Sequence, residues 1–343
     1  MTEFEPLAPL PWQYSAWSNL TEQHRQGRPA HALLLLGSSG IGKRHLATAL
    51  SYWLLCRQPQ WVEQRPQACG QCRSCRQLAS GVHPDFQWIE PEEADKPLKI
   101  DQVRVLSEFI YSSSQFGGYR IAVLDPAERL NLQAANALLK TLEEPPAQRL
   151  IILVAHGLGG LPATIRSRCQ RLNLSRPSTE QVLPWLATQL TQRSGARAVP
   201  SPELVLSVAA GAPLRALALM EGDELAQRRA CFAEYQQVLQ GRMSADYWAN
   251  HWFKTPNMAV IAWLLGWQQD MIRLKLCRQS PPHLAHPDLA EPLRQLSQTL
   301  STEQLFQHLA ALQALPTLLA SPINAPLQIA ALLMRLEAKG TRF

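Results

Sequence analysis

Two groups of residues in this 343-residue chain have side chains and spacings suited to chemistry. The first is Gly37-Ser38-Ser39-Gly40-Ile41-Gly42-Lys43. The apolar run Ala32 to Leu36 before it reads as a buried strand and Leu46 to Leu55 after it as a helix, which is the setting a phosphate-cradling turn requires. Gly37, Gly40 and Gly42 permit a tight turn with N–H groups aimed inward. Lys43 can reach a β or γ phosphate, and the helix start adds the positive end of its dipole. The second group is Cys56 with Cys69, Cys72 and Cys75. Four thiolates, three of them in two overlapping C-x-x-C units, suit a closed tetrahedral zinc site that stabilises a fold and leaves no coordination position for catalysis. A disulfide network or a redox pair is the alternative. A reducing compartment and the close setting of three cysteines favour the metal.

The phosphate loop lacks two parts that hydrolysis needs. Arg44 stands where a Ser or Thr hydroxyl would hold Mg²⁺, and a guanidinium only donates hydrogen bonds and repels a cation. Ile121-Ala122-Val123-Leu124-Asp125 reads as a strand ending in a metal-orienting carboxylate, but Pro126 follows where a general base belongs. Loss of a general base alone costs about 10²–10⁴ in rate. The loop is therefore expected to be a retained scaffold that does not turn over nucleotide. An active ATPase would need magnesium held without a hydroxyl at 44 and a base other than 126.

The elements that must position these groups follow from the apolar pattern. Continuously apolar Ala32 to Leu36, Ile121 to Leu124 and Leu150 to Val154 predict parallel strands buried on both faces, separated by amphipathic helices such as Leu132 to Leu142. Ser175-Arg176-Pro177-Ser178 reads as a linker and helix start. A helical pair follows at Pro202 to Ala210 and Pro213 to Met220. Beyond Gly222 apolar residues recur at helical spacing from Trp248 to Leu336. The predicted domains are an α/β P-loop domain over 1–174 with a cysteine module at about 56–75, a small helical lid over 175–224, and an all-α domain over 225–343. Cys169, Cys231 and Cys277, on separate elements, read as small core residues.

Composition narrows the class further. Hydrophobic residues make up 46% and charged residues 17%, which describes a globular chain and not a disordered one. No apolar run approaches the roughly 18 residues of a membrane helix. The acidic start Met1-Thr2-Glu3-Phe4-Glu5 lacks the basic and apolar regions of a signal peptide, so a cytoplasmic location is expected. A net charge of +6 fits proximity to nucleic acid, although the basic residues form no run. Around the Cys69 to Cys75 run only Arg65, Arg73 and Arg76 lie close, too few for a zinc-dependent nucleic-acid reader.

Several segments together resemble the clamp-loader subunits of bacterial DNA polymerase III, a branch of the AAA+ proteins. They are Gly37 to Lys43, the inserted cysteines, Gly117-Gly118-Tyr119-Arg120-Ile121, Ala135 to Pro146, and Ser167-Arg168-Cys169. The resemblance spans the whole chain. Catalytic gamma and tau members of that family carry an intact phosphate loop and an Asp-Glu pair, so the resemblance is to its non-hydrolysing members. It implies a ring shared with gamma or tau and delta subunits, joined through a collar formed by the C-terminal helices. It also implies action on a sliding clamp and primer-template DNA. By the same resemblance Arg168 is an arginine finger acting in trans on a neighbour's nucleotide, a role that suits a planar, permanently charged group. Arg166 is the nearby decoy. Ala155 falls where the family often has a polar sensor, and Arg215 matches the second-domain sensor arginine with a displacement of one place.

Overall fold

In the computed structural model, which describes residues 8–93, 96–193, 200–253, 257–277, 283–319 and 324–335, the apolar runs of the first half form a five-stranded parallel sheet. Its strands are β1 (Ala32–Leu36), β4 (Phe86–Ile89), β5 (Arg120–Leu124), β6 (Arg149–Ala155) and β7 (Gln170–Asn173). A separate antiparallel hairpin joins β2 (Gln60–Val62) to β3 (Arg65–Gln67). The sheet order is β4-β5-β6-β1-β7. Ala32 pairs with Ile151 and Leu36 with Ala155 across β1 and β6, and Leu124 pairs with Leu153 across β5 and β6. One strand thus separates the loop-bearing β1 from the Asp125-bearing β5, and all three end on the same edge. In an open parallel sheet that carboxyl edge is where ligands bind.

Each central strand is buried on both sides. Leu33 and Leu35 pack with Leu46, Leu50 and Trp17 on one face, while Leu34 and Leu36 pack with Leu106, Leu138 and Leu142 on the other. At roughly 1.5–3 kcal/mol per buried aliphatic side chain, these strands are strong determinants of the fold. Around the sheet lie α1 (Tyr14–Arg25), α2 (Lys43–Leu55), α3 (Arg73–Ala79), α4 (Ile100–Tyr111), α5 (Leu132–Glu143) and the single turn α6 (Ala163–Arg166). Asn131 caps α5 by accepting from Ala134 N at 2.8 Å.

Strands β4 and β7 and the hairpin are absent from the sequence reading. Both sheet strands lie at its edges and carry polar residues such as Gln87, Gln170 and Asn173. An edge strand has one paired side and only partial burial, so it lacks the apolar run that marks a central strand.

Further helices follow: α7 (Thr179–Arg193), α8 (Pro202–Val208) and α9 (Pro213–Glu221). Reciprocal bonds between Ser178 and Gln181 start α7 at the predicted place. After Gly222 come α10 (Glu224–Leu239), α11 (Ala245–Trp252), α12 (Met258–Leu276), α13 (Ala290–Thr299), α14 (Thr302–Leu319) and α15 (Ala325–Met334), with no strand among the described residues. Their core is built on Trp248 and Trp267, with Phe232 edge-on to Trp267 at 5.0 Å. The chain divides into two compact units, Met1–Trp185 with Ala212–Leu214, and Leu186–Gly211 with Arg215–Phe343. Leu336 and the acidic start Met1 to Glu5 lie outside the described residues. No single helix among those residues is long and apolar enough to cross a membrane.

Cys169 and Cys231 are buried as expected, but Cys277 is exposed. It follows the last residue of α12, where the helix has run past the core that Leu274 still touches.

Candidate functional site

The loop between β1 and α2 keeps the predicted turn, and Gly37 and Gly42 are required by space as well as by conformation. Gly42 has φ +95, and a Cβ there would stand 2.7 Å from both Gln13 Nε2 and Leu10 Cδ1. A Cβ at Gly37 would stand 2.5 Å from Leu174 O. The carbonyls of the turn are tied to neighbouring groups: Trp12 Nε1 donates to Ile41 O at 2.8 Å, Gln13 Nε2 to Gly42 O at 2.7 Å, and Leu214 N to Gly40 O at 2.9 Å. The turn borders a cleft of about 520 Å³ lined in part by Lys43, Arg44, Glu90, Asp125, Pro126 and His156.

Within this cleft the cationic side chains are already paired. Lys43 is 4% exposed and donates to Gly37 O at 2.6 Å and Ser38 O at 2.8 Å, with Nζ 2.9 Å from His156 Nδ1. Burial holds the Lys43 pKa below the ordinary lysine value. Burial together with the Lys43 charge does the same to His156, which leaves a neutral ring able to accept at Nδ1. Arg44 occupies the place of a metal-binding hydroxyl and forms ion pairs with Asp125, Nε to Oδ2 at 3.0 Å, and with Glu90. Its guanidinium also lies 5.0 Å from the centroid of the Trp88 ring. Burial raises Asp125 to about 6 in spite of Arg44. The pair with Arg44 lacks hydrogen-bond geometry at Oδ2, so it does not offset the lost hydration.

His156 and Glu128 were missed by the sequence reading. Ala155, the residue aligned with a polar sensor, is fully buried at the end of β6, and the side chain that meets the loop belongs to the next residue. A strand's alternation sends successive side chains to opposite faces, so an error of one place reverses the answer. Glu128 accepts from His156 N at 3.0 Å through Oε1. Arg215 pairs with Glu224.

The four predicted cysteines come together. Cys56 caps the end of α2, Cys69 follows the hairpin, and Cys72 and Cys75 open α3. Their sulfurs all lie within 4.8 Å of one another, with Cys56 to Cys69 at 3.5 Å, Cys56 to Cys72 at 3.9 Å and Cys69 to Cys75 at 4.0 Å. A metal with bonds of about 2.3 Å to four tetrahedral sulfurs sets them roughly 3.8 Å apart, so the arrangement fits one ion. Backbone N–H groups of Cys69, Cys72 and Cys75 donate to the sulfurs of Cys56, Cys69 and Cys72 at 3.3, 3.3 and 3.5 Å. Such donors stabilise thiolates. Burial works against the Cys72 thiolate, but N–H and S–H donors lower its pKa to about 6. Ser74 ties the module to the sheet domain by donating to Leu55 O at 2.7 Å.

Arg168 follows α6 and leads through buried Cys169 into β7. It is held in its own chain: Nε donates to Glu143 Oε1 at 2.6 Å, Nη2 pairs with the same oxygen, and Nη1 donates to Thr164 O at 2.9 Å. Glu143 lies in the Ala135 to Pro146 run that carries the resemblance, but the sequence reading assigned it no role. The two residues are 25 apart in sequence and meet only because α5 and α6 pack together.

Parallel sheet order, loop and carboxylate-tipped β5 define the first unit as an AAA+-like P-loop domain whose cleft cations are paired with groups of the same unit. Residues 12–178 match the family described as DNA polymerase III, delta subunit, and residues 223–338 match its C-terminal family. DNA polymerase III subunit delta' of Pseudomonas aeruginosa is 38% identical over 267 residues, covering 78% of each chain. The Escherichia coli subunit of the same name is 32% identical over 330 residues, covering 95% of each. A solved gamma subunit-related protein of Thermotoga maritima is 15% identical with a TM-score of 0.44, covering 94% of this chain and 99% of that one. The chain belongs to the family of DNA polymerase III delta' subunits.

Proposed function

We propose that this chain is a non-hydrolysing subunit of a DNA polymerase III clamp loader, working in the cytoplasm. It holds the ring of subunits together and presents Arg168 to the nucleotide of a neighbour. In this reading its partners are gamma or tau and delta subunits, and through the complex it helps open a sliding clamp for loading onto primer-template DNA. The observation that carries the reading is the Arg44–Asp125 ion pair beside Pro126. A positive charge of the chain itself stands where a catalytic site needs a divalent cation, and no carboxylate occupies position 126. The chemistry then falls to neighbouring subunits.

The domain division that accompanies this reading is a P-loop domain over 1–174, a lid over 175–224 and a collar over 225–343. Cys56, Cys69, Cys72 and Cys75 are proposed to hold a structural Zn²⁺, which matches the sulfur spacing and the softness of a four-thiolate set. Gly37, Gly40, Gly42 and Lys43 serve as a scaffold, with no ATP or ADP turned over there. The test is reconstitution with gamma or tau and delta subunits. Copurification in one complex and clamp loading that depends on this chain are expected. A complex that assembles and loads clamps equally well without it would end the proposal.

A further inference from the structure

The guanidinium of Arg168 is held by one edge and open at another. The side-on edge, Nε with Nη2, is taken by Glu143 Oε1, and Nη1 donates backward to Thr164 O at 2.9 Å. A guanidinium has five N–H groups in a fixed plane. The two hydrogen bonds engage Nε and one N–H of Nη1, and Nη2 lies beside the same carboxylate oxygen, so each terminal nitrogen keeps at least one N–H without a partner among the described residues, enough for an end-on fork. That fork is the part of an arginine that meets two oxygens of a phosphate. The Arg168 side chain is 32% exposed and that of Glu143 46% exposed, so the pair contributes little to stability. Its effect is to fix the direction of the fork. Glu143 is the last residue of α5, whose Leu138 and Leu142 are buried in the sheet core, so the restraint is anchored in the rigid part of the domain.

We infer that Glu143 is a positioning residue for Arg168, preorganising its end-on fork for a neighbouring subunit's phosphate. This inference rests on the finger reading given above. An unrestrained arginine samples many rotamers, and each is lost again on reaching the phosphate. Preorganisation avoids that cost in the transition state, and a misplacement of about 1 Å in a catalytic group can lower a rate about 10²-fold.

The test uses the reconstituted complex and measures kcat and KM for ATP with wild type, Arg168→Ala, Glu143→Gln and Glu143→Asp. The difference between wild type and Arg168→Ala defines the rate that depends on the finger. Glu143→Gln is expected to lose about tenfold of that part or more, with KM unchanged, melting temperature unchanged and assembly intact. Glu143→Asp, which keeps the charge on a shorter stem, should fall between. A merely structural pair would lower melting or assembly and leave kcat alone. If Arg168→Ala lowers the rate but both Glu143 variants keep the full finger-dependent part, or raise it, the positioning role is wrong and the finger stands. If Arg168→Ala itself changes nothing, the finger reading fails and the inference with it.

Discussion

Arg44 Nε lies 3.0 Å from Asp125 Oδ2, joining the residue after the phosphate loop to the carboxylate at the end of β5. In a working site of this class a magnesium ion mediates between those two positions. Here the positive charge is covalently part of α2, so it cannot be exchanged for a metal. The sequence departure at position 44 is thus a substitution of one cation for another and not only the loss of a hydroxyl.

The isolated chain is expected to show no magnesium-dependent ATP hydrolysis, and Arg44→Thr alone should not create any, because Pro126 still supplies no base. Turnover by the purified wild-type chain that disappears in Lys43→Ala would contradict this. Arg44→Ala removes the cation beside Asp125, whose side chain is only 7% exposed, so it should lower stability at neutral pH in denaturant unfolding and raise the Asp125 pKa further.

Asp125 gives a pH dependence of definite sign. Its pKa rises from the ordinary 3.8 to about 6 in the fold, so the folded state binds the proton more tightly than the unfolded one. Stability from this group is full below the unfolded value and is lost as pH rises through the folded one. Two units correspond to about 3 kcal/mol at most. Unfolding of wild type and Asp125→Asn between pH 4 and 7 should show the Asn variant gaining on wild type as pH rises. A difference that stays flat or runs the other way would refute the assignment.

His308 predicts the opposite slope. Its Nδ1 faces Gln268 Oε1 at 3.0 Å, and burial lowers its pKa from 6.5 to about 3. The fold holds it neutral, while the unfolded chain takes a proton below about pH 6.5, so stability is lost as pH falls from 6.5 toward 3. His308→Asn keeps a donor for Gln268 and cannot titrate in this range. It should flatten the decline between pH 6.5 and 4 by up to about 3 kcal/mol, read by chemical denaturation at each pH.

One zinc ion per chain is expected by elemental analysis of protein prepared without chelator. Serine at any one of Cys56, Cys69, Cys72 or Cys75 should weaken its retention and loosen residues 56–79 to proteolysis, while the sheet domain stays folded. Four freely titrating thiols at these positions in native protein would rule the site out.

In the reconstituted complex Arg168→Ala should leave assembly intact and silence one ATP site, where such a finger is worth about 10³–10⁵ in rate, so the total rate falls only partly. Arg168→Lys should not restore it, since a point charge lacks the planar fork. Arg166→Ala is the matched control. Loss of activity in that variant with none in Arg168→Ala would reassign the finger.

What the sequence determined by itself is local in origin. The runs Ala32 to Leu36, Ile121 to Leu124 and Leu150 to Val154 are buried on both faces and carry an unbroken apolar signal, so the central strands were legible. The phosphate loop was equally plain, because its glycines, lysine and missing hydroxyl lie within eight consecutive residues. The cysteines were too, since three of the four fall within one turn and a short helix. Tertiary structure decided everything that depends on side chains meeting across the chain. Arg44 finds Asp125 and Glu90, Lys43 finds His156, and Arg168 finds Glu143 only after strands and helices have packed. Such pairs leave no periodicity, because an ion pair requires proximity in space and sets no spacing in sequence. The edge strands β4 and β7 were hidden for a related reason: their hydrogen bonds come from a neighbouring strand, and half-exposed residues need not be apolar to accept them.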